Sequence, residues 1–216
     1  HTPQKEADAV AARKRLAFQE IFYIQLERQQ ERLRTAREHS FVIKKSPEEI
    51  SAFEKNFPFT ATGAQKKALG HILDDFAKGH PMSRLLEGDV GSGKTAVAAT
   101  AAFATVTTRP SGQNFGTLQV AYMAPTEILA TQHFESFIEL FRHFPLSIGL
   151  ITGSGARKFP AKVTTMSAHG KNLWTDISRA QLLKWVANGE ISILIGTHAL
   201  IQKKVTFKHL GLIIID

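Results

Sequence analysis

The residues best suited to chemistry stand in one run, Gly88-Asp89-Val90-Gly91-Ser92-Gly93-Lys94-Thr95, which we call the glycine loop. The run has the pattern G-x-x-x-x-G-K-T, in which glycines let backbone N–H groups turn inward around a β-phosphate. The positive end of a following helix adds to that attraction. We expect the Lys94 ammonium to lie between the β- and γ-phosphates and the Thr95 hydroxyl to take one magnesium position. The pattern therefore predicts a site for a nucleoside triphosphate, ATP with Mg²⁺.

Two residues outside the glycine loop fit the same site. Asp216 follows three isoleucines, and an acidic residue at the end of such a strand holds magnesium in phosphate-loop ATPases, usually through water. By itself it could equally be a cap or turn residue. Gln65 forms half of a predicted capping box with Thr62, and its amide could also donate to N7 and accept from the N6 amine of adenine. The two interpretations of Gln65 are compatible, and the second would select ATP over GTP.

The elements that must position these residues alternate between strands and helices. Leu85-Leu86 leads into the glycine loop as a predicted strand. Further strands are predicted at 117–123, 148–151, 191–195 and 212–215, and helices at 95–106, 127–141 and 178–187. Helices are also predicted after the capping boxes at Ser46 and Thr62. Near-continuous apolar strands indicate a parallel sheet with helices on both faces, which is an α/β fold.

Two stretches depart from this alternation. Residues 5–38 contain no Gly or Pro and carry apolar residues at near-helical spacing, which predicts one long N-terminal amphipathic α-helix. Residues 154–176 lack clear periodicity and carry four basic residues against one acid, Asp176; the basic residues are Arg157, Lys158, Lys162 and Lys171. We interpret 154–176 as a flexible surface insertion, with a nucleic-acid contact as the alternative.

Composition sets the outer limits. The chain has 27 Lys and Arg against 19 Asp and Glu, a formal net charge of +8. Such a surplus is typical of proteins with an acidic partner such as nucleic acid, although a solvated basic surface explains the charge equally well. The lack of cysteine excludes disulfides, zinc fingers and thiolate catalysis. No apolar run approaches a membrane span, so we expect a cytoplasmic protein without a membrane partner. We also expect a monomer. Both ends of the sequence are interpreted as cut from a longer chain.

Several short motifs follow one another in a fixed order. After Gln65 and the glycine loop come Met-Ala-Pro-Thr-Glu-Ile-Leu-Ala (123–130), Leu-Ile-Thr-Gly (150–153), Ile-Gly-Thr-His-Ala-Leu-Ile (195–201) and Ile-Ile-Ile-Asp (213–216). The set resembles the first motor domain of a superfamily 2 helicase and is most similar to the RecG family of bacterial DNA helicases. The resemblance implies a P-loop NTPase, RecA-like fold. It further implies a linker helix at 1–45 that joins a wedge domain to the motor, and a first RecA-like domain at 46–216 that is truncated at motif II.

The resemblance also implies roles for the later motifs. Loop residues would grip successive phosphates of one DNA strand without reading sequence; they are Pro125, Thr126, Thr152, Gly153, Gly196 and Thr197. By residue chemistry alone, each threonine is better explained as a helix N-cap. We expect His133 and His198 to be ordinary helix and loop residues.

The resembled family acts as an ATP-dependent helicase on branched or forked DNA, regressing replication forks and migrating Holliday junctions. Its second RecA-like domain supplies arginines to the γ-phosphate, and its catalytic glutamate follows the magnesium aspartate, so this chain would hold half of the cleft and hydrolyse almost no ATP alone. Two alternatives stay open at this point. One is the motor of a transcription-repair coupling translocase, and the other is a non-motor P-loop nucleotide switch.

Overall fold

The computed structural model describes residues 5–110, 112, 116–161, 166–167, 170–171 and 173–216. The chain divides into two compact units, one ending at Ser40 and the other running from Phe41 to Asp216. The first unit contains the predicted long helix, α1 (Glu6–Thr35). Acidic residues in its first turn and arginines in its last turn complement the helix dipole. Its aromatic side chains Phe18 and Phe22 stack with ring centroids 6.0 Å apart.

The second unit is an α/β sandwich built on a six-stranded sheet. Its helices are α2 (Pro47–Glu54), α3 (Gly63–Phe76), α4 (Lys94–Val106), α5 (Glu127–Phe141) and α6 (Arg179–Ala187), with a short 3₁₀ helix at His198–Ile201. Its strands are β1 (Gln119–Met123), β2 (Ile148–Ile151), β3 (Ala156–Phe159), β4 (Met166–Ser167), β5 (Gly170–Lys171), β6 (Thr175–Ile177), β7 (Ile193–Gly196) and β8 (Leu210–Ile215). The sheet order is β6-β3-β2-β7-β1-β8, and β4 pairs separately with β5.

The centre of the sheet is parallel, as predicted. Neighbouring strands pair so that Ile151, Gly196, Met123 and Ile215 lie side by side in one row across β2, β7, β1 and β8. The residues that follow this row leave the sheet at one edge, its carboxyl edge. Open parallel sheets bind ligands at this edge, and the row places there Asp216 and the predicted loops that follow β1, β2 and β7.

The segment interpreted as a flexible insertion contributes strands instead. β3 pairs antiparallel with β2, and β6 pairs antiparallel with β3, so residues 156–159 and 175–177 extend the sheet. The prediction of a loop was wrong there because charged residues hide the alternation: Arg157 and Lys158 occupy the middle of a four-residue strand. Arg157 instead lies over the Trp174 ring at 4.3 Å and pairs with Asp176 at 3.4 Å. Lys162 lies outside the described residues.

Helices cover both faces of the sheet, also as predicted. Alternate residues of β7 point into different cores: Ile193 and Ile195 join a large cluster with α4 and α5, whereas Leu194 joins a smaller cluster with Leu182 and Val186 of α6. All five of these side chains have a relative exposure of 0%. A strand buried on both faces reads as a continuous apolar run, which is why the sequence pattern of β7 was informative.

An aromatic cluster attaches α2 to the sheet layer. Phe53 of α2 stacks on Phe103 of α4 with centroids 4.3 Å apart and planes within 8°. Phe141 and Phe144 complete the cluster at 5.0 and 5.6 Å from Phe53. The predicted capping box begins this helix, since the Ser46 hydroxyl accepts from Glu49 N–H at 3.2 Å and the Glu49 carboxylate accepts from Ser46 N–H at 2.9 Å.

The predicted strand at Leu85-Leu86 is not formed. Residues 81–89 have no regular secondary structure, and no strand in the described part of the chain pairs with them. Strand β8 is the last strand at one side of the described sheet. Its alternate side chains Ile213 and Ile215 are 59% and 69% exposed. Backbone without a hydrogen-bonded neighbour cannot join a ladder, so apolar character alone was insufficient evidence for a strand at Leu85-Leu86.

Candidate nucleotide and nucleic-acid site

The glycine loop has the backbone conformation that its sequence requires. Gly91 and Gly93 have φ angles of +81° and +78°, in the left-handed region that glycine adopts without steric cost. Gly93 is the N-cap of α4, so the loop runs directly into the helix N-terminus. A Cβ on Gly93 would also lie 2.2 Å from the Gln65 amide nitrogen. Both glycines are therefore needed by conformation, and a side chain at Gly93 would in addition displace the Gln65 amide.

Lys94 lies folded back into the loop. Its ammonium donates to the carbonyl oxygens of Gly88 at 2.6 Å and Asp89 at 2.9 Å. Val90 at the tip is fully exposed, and Ser92 N–H donates to Asp89 carbonyl oxygen at 3.1 Å to close the turn. The positive charge thus already stands inside the cradle that the sequence predicts for the phosphates.

Gln65 contacts the same loop. Its amide oxygen accepts from Thr62 N–H at 2.8 Å, and the Thr62 hydroxyl accepts from Gln65 N–H at 3.3 Å, which completes the predicted capping box. The amide nitrogen donates to the Ser92 carbonyl oxygen at 2.8 Å. Gln65 therefore joins the start of α3 to the glycine loop, a contact that the sequence interpretation did not include.

One cleft brings the predicted magnesium ligands together. It has a volume of about 180 Å³ and is lined by Lys94, Thr95, Tyr122 and Asp216 at its polar end, with apolar side chains from 82–86 and β8 on its walls. A hydroxyl, a carboxylate and a cation around one small space suit a magnesium–phosphate group, because Mg²⁺ prefers oxygen ligands and keeps several waters. The residues present therefore fit Mg²⁺ with a triphosphate.

The carboxylate of Asp216 has a partner that sequence reasoning missed. His133 Nε2 lies 2.7 Å from Asp216 Oδ2, although 83 positions separate the two residues. The His133 ring also packs on Tyr122, with centroids 4.7 Å apart. Burial, followed by the negative charge of Asp216, raises the pKa of the Tyr122 phenol above its usual value. His133 was expected to be an ordinary helix residue, and no signal in the local sequence distinguishes it.

Two predicted DNA-binding loops lie together at the carboxyl edge. Pro125 and Thr126 are exposed after β1, and the Thr126 hydroxyl caps α5 by accepting from Leu129 N–H at 3.3 Å. Thr152 follows β2 and is 3% exposed. Its hydroxyl lies 2.9 Å from that of Ser154, so it does not act as a helix cap. Of these two threonines, the N-cap interpretation is right for Thr126 and wrong for Thr152.

Glu127 joins the two loops. A Cβ placed on Gly153 would lie 2.4 Å from Glu127 Oε1, which shows how closely the carboxylate approaches the loop. A hydrogen bond from the Ser154 hydroxyl, with others from the backbone N–H groups of Gly153 and Ser154 and from the Thr152 hydroxyl, holds the pKa of Glu127 below its usual value. Of these donors, the Thr152 hydroxyl and the Gly153 N–H were predicted to bind a DNA phosphate, and in this structure they lie beside a carboxylate of the protein itself.

The third predicted loop is more tightly packed. Gly196 ends β7, is buried, and leaves no room for a side chain, because a Cβ would lie 2.5 Å from the Ile151 carbonyl oxygen. Thr197 precedes the 3₁₀ helix, and its carbonyl oxygen accepts from Leu200 N–H at 3.0 Å without a side-chain cap. Gly196 therefore permits close strand packing, whereas the Thr197 hydroxyl makes no capping hydrogen bond to the 3₁₀ helix.

Over the described ranges, no three His, Asp or Glu side chains are grouped so that they could hold a metal ion by themselves. Within the same ranges, no helix combines the length and apolar character that a bilayer crossing requires.

Comparisons with known proteins match this chain along its whole length. The ATP-dependent DNA helicases RecG of Streptococcus pneumoniae and Bacillus subtilis are 41% and 40% identical over all of the chain, which spans 28% of each relative. A solved structure of RecG bound to a three-way DNA junction covers 99% of the chain at 35% identity, with a TM-score of 0.73 and 26% of that structure matched. These similarities confirm the expected resemblance and the RecA-like helicase fold.

The family itself is shown by a match of a different kind. The model of the DEAD/DEAH box helicase family matches residues 62–216, a range that begins at the Thr62 cap of α3 and includes Gln65, the glycine loop, the three carboxyl-edge loops and Asp216. Since this range is well over half of the chain, the chain belongs to the DEAD/DEAH box helicase family.

Proposed function

We propose that this chain supplies the ATP-binding half, and part of the DNA-binding surface, of an ATP-hydrolysing helicase that acts on branched DNA. The observation that carries the proposal is the row Ile151, Gly196, Met123 and Ile215, because Asp216 and the three predicted DNA-binding loops follow the sheet directly after it. With strands about 4.8 Å apart, the row spans roughly 14 Å. The magnesium carboxylate and the loops for DNA phosphates thus share one edge of one rigid sheet.

The proposed work of each residue follows from its place. Backbone N–H groups of residues 91–95 would surround the β-phosphate at the N-terminus of α4. Lys94 would leave the Gly88 and Asp89 carbonyls and neutralise the β- and γ-phosphates, and Thr95 and Asp216 would hold Mg²⁺. Bound Mg²⁺ would supply charge neutralisation at the γ-phosphate. The Gln65 amide would contact the adenine edge while its hydrogen bonds to the Thr62 N–H and the Ser92 carbonyl oxygen keep α3 against the glycine loop.

The DNA side of the proposal uses the loops after β1 and β2. Thr126 and the backbone of Gly153, both exposed, would bind successive phosphates of one strand, and the buried Thr152 would take part once the loop opens towards DNA; such contacts position DNA without reading its sequence. We propose that Gly196 and Thr197 contribute chiefly through the backbone, since Gly196 is buried. Branched DNA as the substrate, in fork regression and Holliday-junction migration, is supported by the similarity to RecG proteins and to the RecG structure with a three-way junction.

The remaining parts of the motor belong to the same proposal. Residues 1–45 would join a wedge domain to the motor, and a second RecA-like domain would close the ATP cleft and supply arginines to the γ-phosphate. The site residues by themselves do not distinguish this motor from a transcription-repair coupling translocase. An oligonucleotide-binding barrel upstream in the full-length protein would favour the junction helicase, whereas a polymerase-binding domain would favour the translocase. We also propose that the full-length protein is monomeric and cytoplasmic. Sedimentation of the full-length protein tests the monomeric state.

Gel mobility with forked and linear duplexes tests the proposed substrate. The full-length protein should bind forks more tightly than linear duplexes of the same length. Its affinity should fall steeply between two salt concentrations, because phosphate contacts release counterions. Equal affinity for both DNAs would contradict action on branched DNA. Lack of measurable affinity for either would favour a non-motor nucleotide switch, whose basic charge serves another surface.

A further inference from the structure

The contact between His133 and Asp216 is the polar interaction of the site that the proposed function does not yet use. Nε2 of His133 lies 2.7 Å from Oδ2 of Asp216, and the side chains are 12% and 38% exposed. The histidine is therefore largely enclosed, whereas the carboxylate still opens to the cleft that Lys94 and Thr95 line. A short bond made from the enclosed side leaves the open side of the carboxylate free for another ligand.

Neighbouring strands and side chains fix the positions of both His133 and Asp216. Asp216 N–H donates to the Met123 carbonyl oxygen at 2.9 Å, which continues the β1–β8 ladder. The His133 ring lies between α5 and the ring of Tyr122, which is 2% exposed. Phe137, one turn further along α5, supports Tyr122 at 5.3 Å. The imidazole therefore points at the carboxylate because a packed core directs it there.

The geometry assigns a direction to the hydrogen bond. An ionised carboxylate only accepts, so Nε2–H of His133 donates to Oδ2. A carboxylate that ligates a metal is usually oriented by such a second hydrogen bond, which fixes the oxygen that remains for the metal. Oδ1 is then the oxygen left for a metal in the cleft that Thr95 also lines.

We propose that His133 is a positioning residue for the magnesium site: it holds one oxygen of Asp216 so that the other is presented to the metal. The proposal rests on the assignment of Asp216 as a magnesium ligand in the proposed function. His133 touches neither metal nor nucleotide, and it acts through the orientation of Asp216 alone.

Metal affinity in a complex that does not turn over tests this role. Mn²⁺ replaces Mg²⁺ as a paramagnetic probe, and electron paramagnetic resonance measures its dissociation from the full-length protein with ADP bound. Removing a residue that orients a metal ligand costs about tenfold or more in metal affinity. His133→Ala and His133→Asn should therefore each weaken Mn²⁺ binding about tenfold. His133→Gln, whose amide nitrogen can reach the position of Nε2, should stay within about threefold of the wild type.

A control variant and a variant of Asp216 distinguish the positioning role of His133 from the magnesium role of Asp216. His143→Ala removes an exposed histidine that contacts Arg142 at 3.1 Å, and it should leave Mn²⁺ affinity unchanged. Asp216→Asn should abolish tight Mn²⁺ binding if the proposed function is right. Wild-type affinity in His133→Ala and His133→Asn, with binding lost in Asp216→Asn, would overturn the positioning role alone. Equal losses in the Ala, Asn and Gln variants would overturn the hydrogen bond as its cause. Unchanged binding in Asp216→Asn would overturn the magnesium assignment and the positioning role together.

Discussion

The glycine loop and the loop at Thr152–Ser154 are both candidates for binding phosphate, but the protein fills them with opposite charges. In the glycine loop, the Lys94 ammonium is held by the carbonyl oxygens of Gly88 and Asp89. In the second loop, N–H and hydroxyl donors hold the Glu127 carboxylate. The glycine loop therefore holds a positive charge that attracts a phosphate. The loop at Thr152–Ser154 holds a carboxylate that competes with a phosphate for the same donors.

This difference predicts different strengths for the two sites. A triphosphate that enters the glycine loop gains the Lys94 charge, and its electrostatic attraction adds to that of the helix N-terminus. A DNA phosphate at Gly153 must replace a carboxylate that already uses the same donors. The nucleotide site should be strong and dependent on one cation, whereas under the proposed function each DNA contact should be weak and exchangeable.

The largest expected effect comes from the glycine loop. Lys94→Ala in the full-length protein removes the cation that would neutralise charge on the transferring phosphate, and ATP hydrolysis stimulated by forked DNA should fall by more than about 100-fold. Fork binding should be largely kept, because Lys94 is separate from the DNA loops. The matched control is Lys184→Ala, which removes an exposed lysine from the last turn of α6. Hydrolysis at the wild-type rate in Lys94→Ala would refute the role assigned to the lysine.

A smaller and opposite effect is expected at the second loop. Glu127→Gln keeps an oxygen acceptor for the loop donors but removes the negative charge, so fork affinity should rise by about threefold at low salt. The gain should shrink at higher salt because exposed charges are screened. Mobility-shift titrations at two salt concentrations measure both effects.

The control for that experiment lies on the same helix. Glu135 is an exposed residue of α5, two turns beyond Glu127, and Glu135→Gln changes the net charge by the same amount. If both variants raise fork affinity equally, the effect comes from overall charge, and the competition between Glu127 and a phosphate is contradicted.

The smallest expected effect concerns the support of the glycine loop. Asp75 of α3 accepts from Lys78 Nζ at 2.8 Å and from Arg84 Nε at 2.9 Å, which ties the segment before the loop to the helix. The hydrogen bond from Lys78, followed by those from Arg84 and the charges of both, holds the pKa of Asp75 below its usual value. A folded-state pKa below the unfolded one means that the stabilisation is present above the unfolded pKa and is lost as pH falls through the folded pKa.

Thermal unfolding of wild type and Asp75→Asn from pH 3 to pH 7 measures this contribution. At pH 7 the variant should be less stable by about 0.5–1 kcal/mol, the size of a favourable pair near the surface. Below about pH 4 the difference should decrease, because the wild-type aspartate also becomes neutral. A difference that is constant across the whole range would show that charge is not its source.

Local signals made the glycine loop and the caps predictable from sequence. The residues of each capping box are three apart, and the glycine loop is continuous, so neither depends on how distant parts of the chain meet. His133 and Asp216 are 83 positions apart and meet only because β8 pairs with β1 in one register. The tie between Glu127 and Ser154 depends on the neighbouring order of β2, β7 and β1, which the sequence does not specify.

Short strands with charged residues were the other source of error. β3 and β6 have four and three residues, too few to establish a period of two when charges interrupt them. Leu85-Leu86 failed in the opposite direction, because an apolar pair was taken as a strand although it pairs with no strand of the described sheet. Predictions of the glycine loop and helix starts were therefore secure, while the edges of the sheet required the structure.

A crystal structure of the full-length protein with Mg²⁺ and ADP–beryllium fluoride would decide whether the glycine loop binds the nucleotide. The β-phosphate oxygens should lie within about 3 Å of backbone nitrogens of residues 91–95. Lys94 Nζ should have moved from the Gly88 and Asp89 carbonyls to the phosphates, and Mg²⁺ should lie between Thr95 and Asp216. A nucleotide bound elsewhere, with Lys94 still bonded to those carbonyls, would contradict the nucleotide role of the glycine loop.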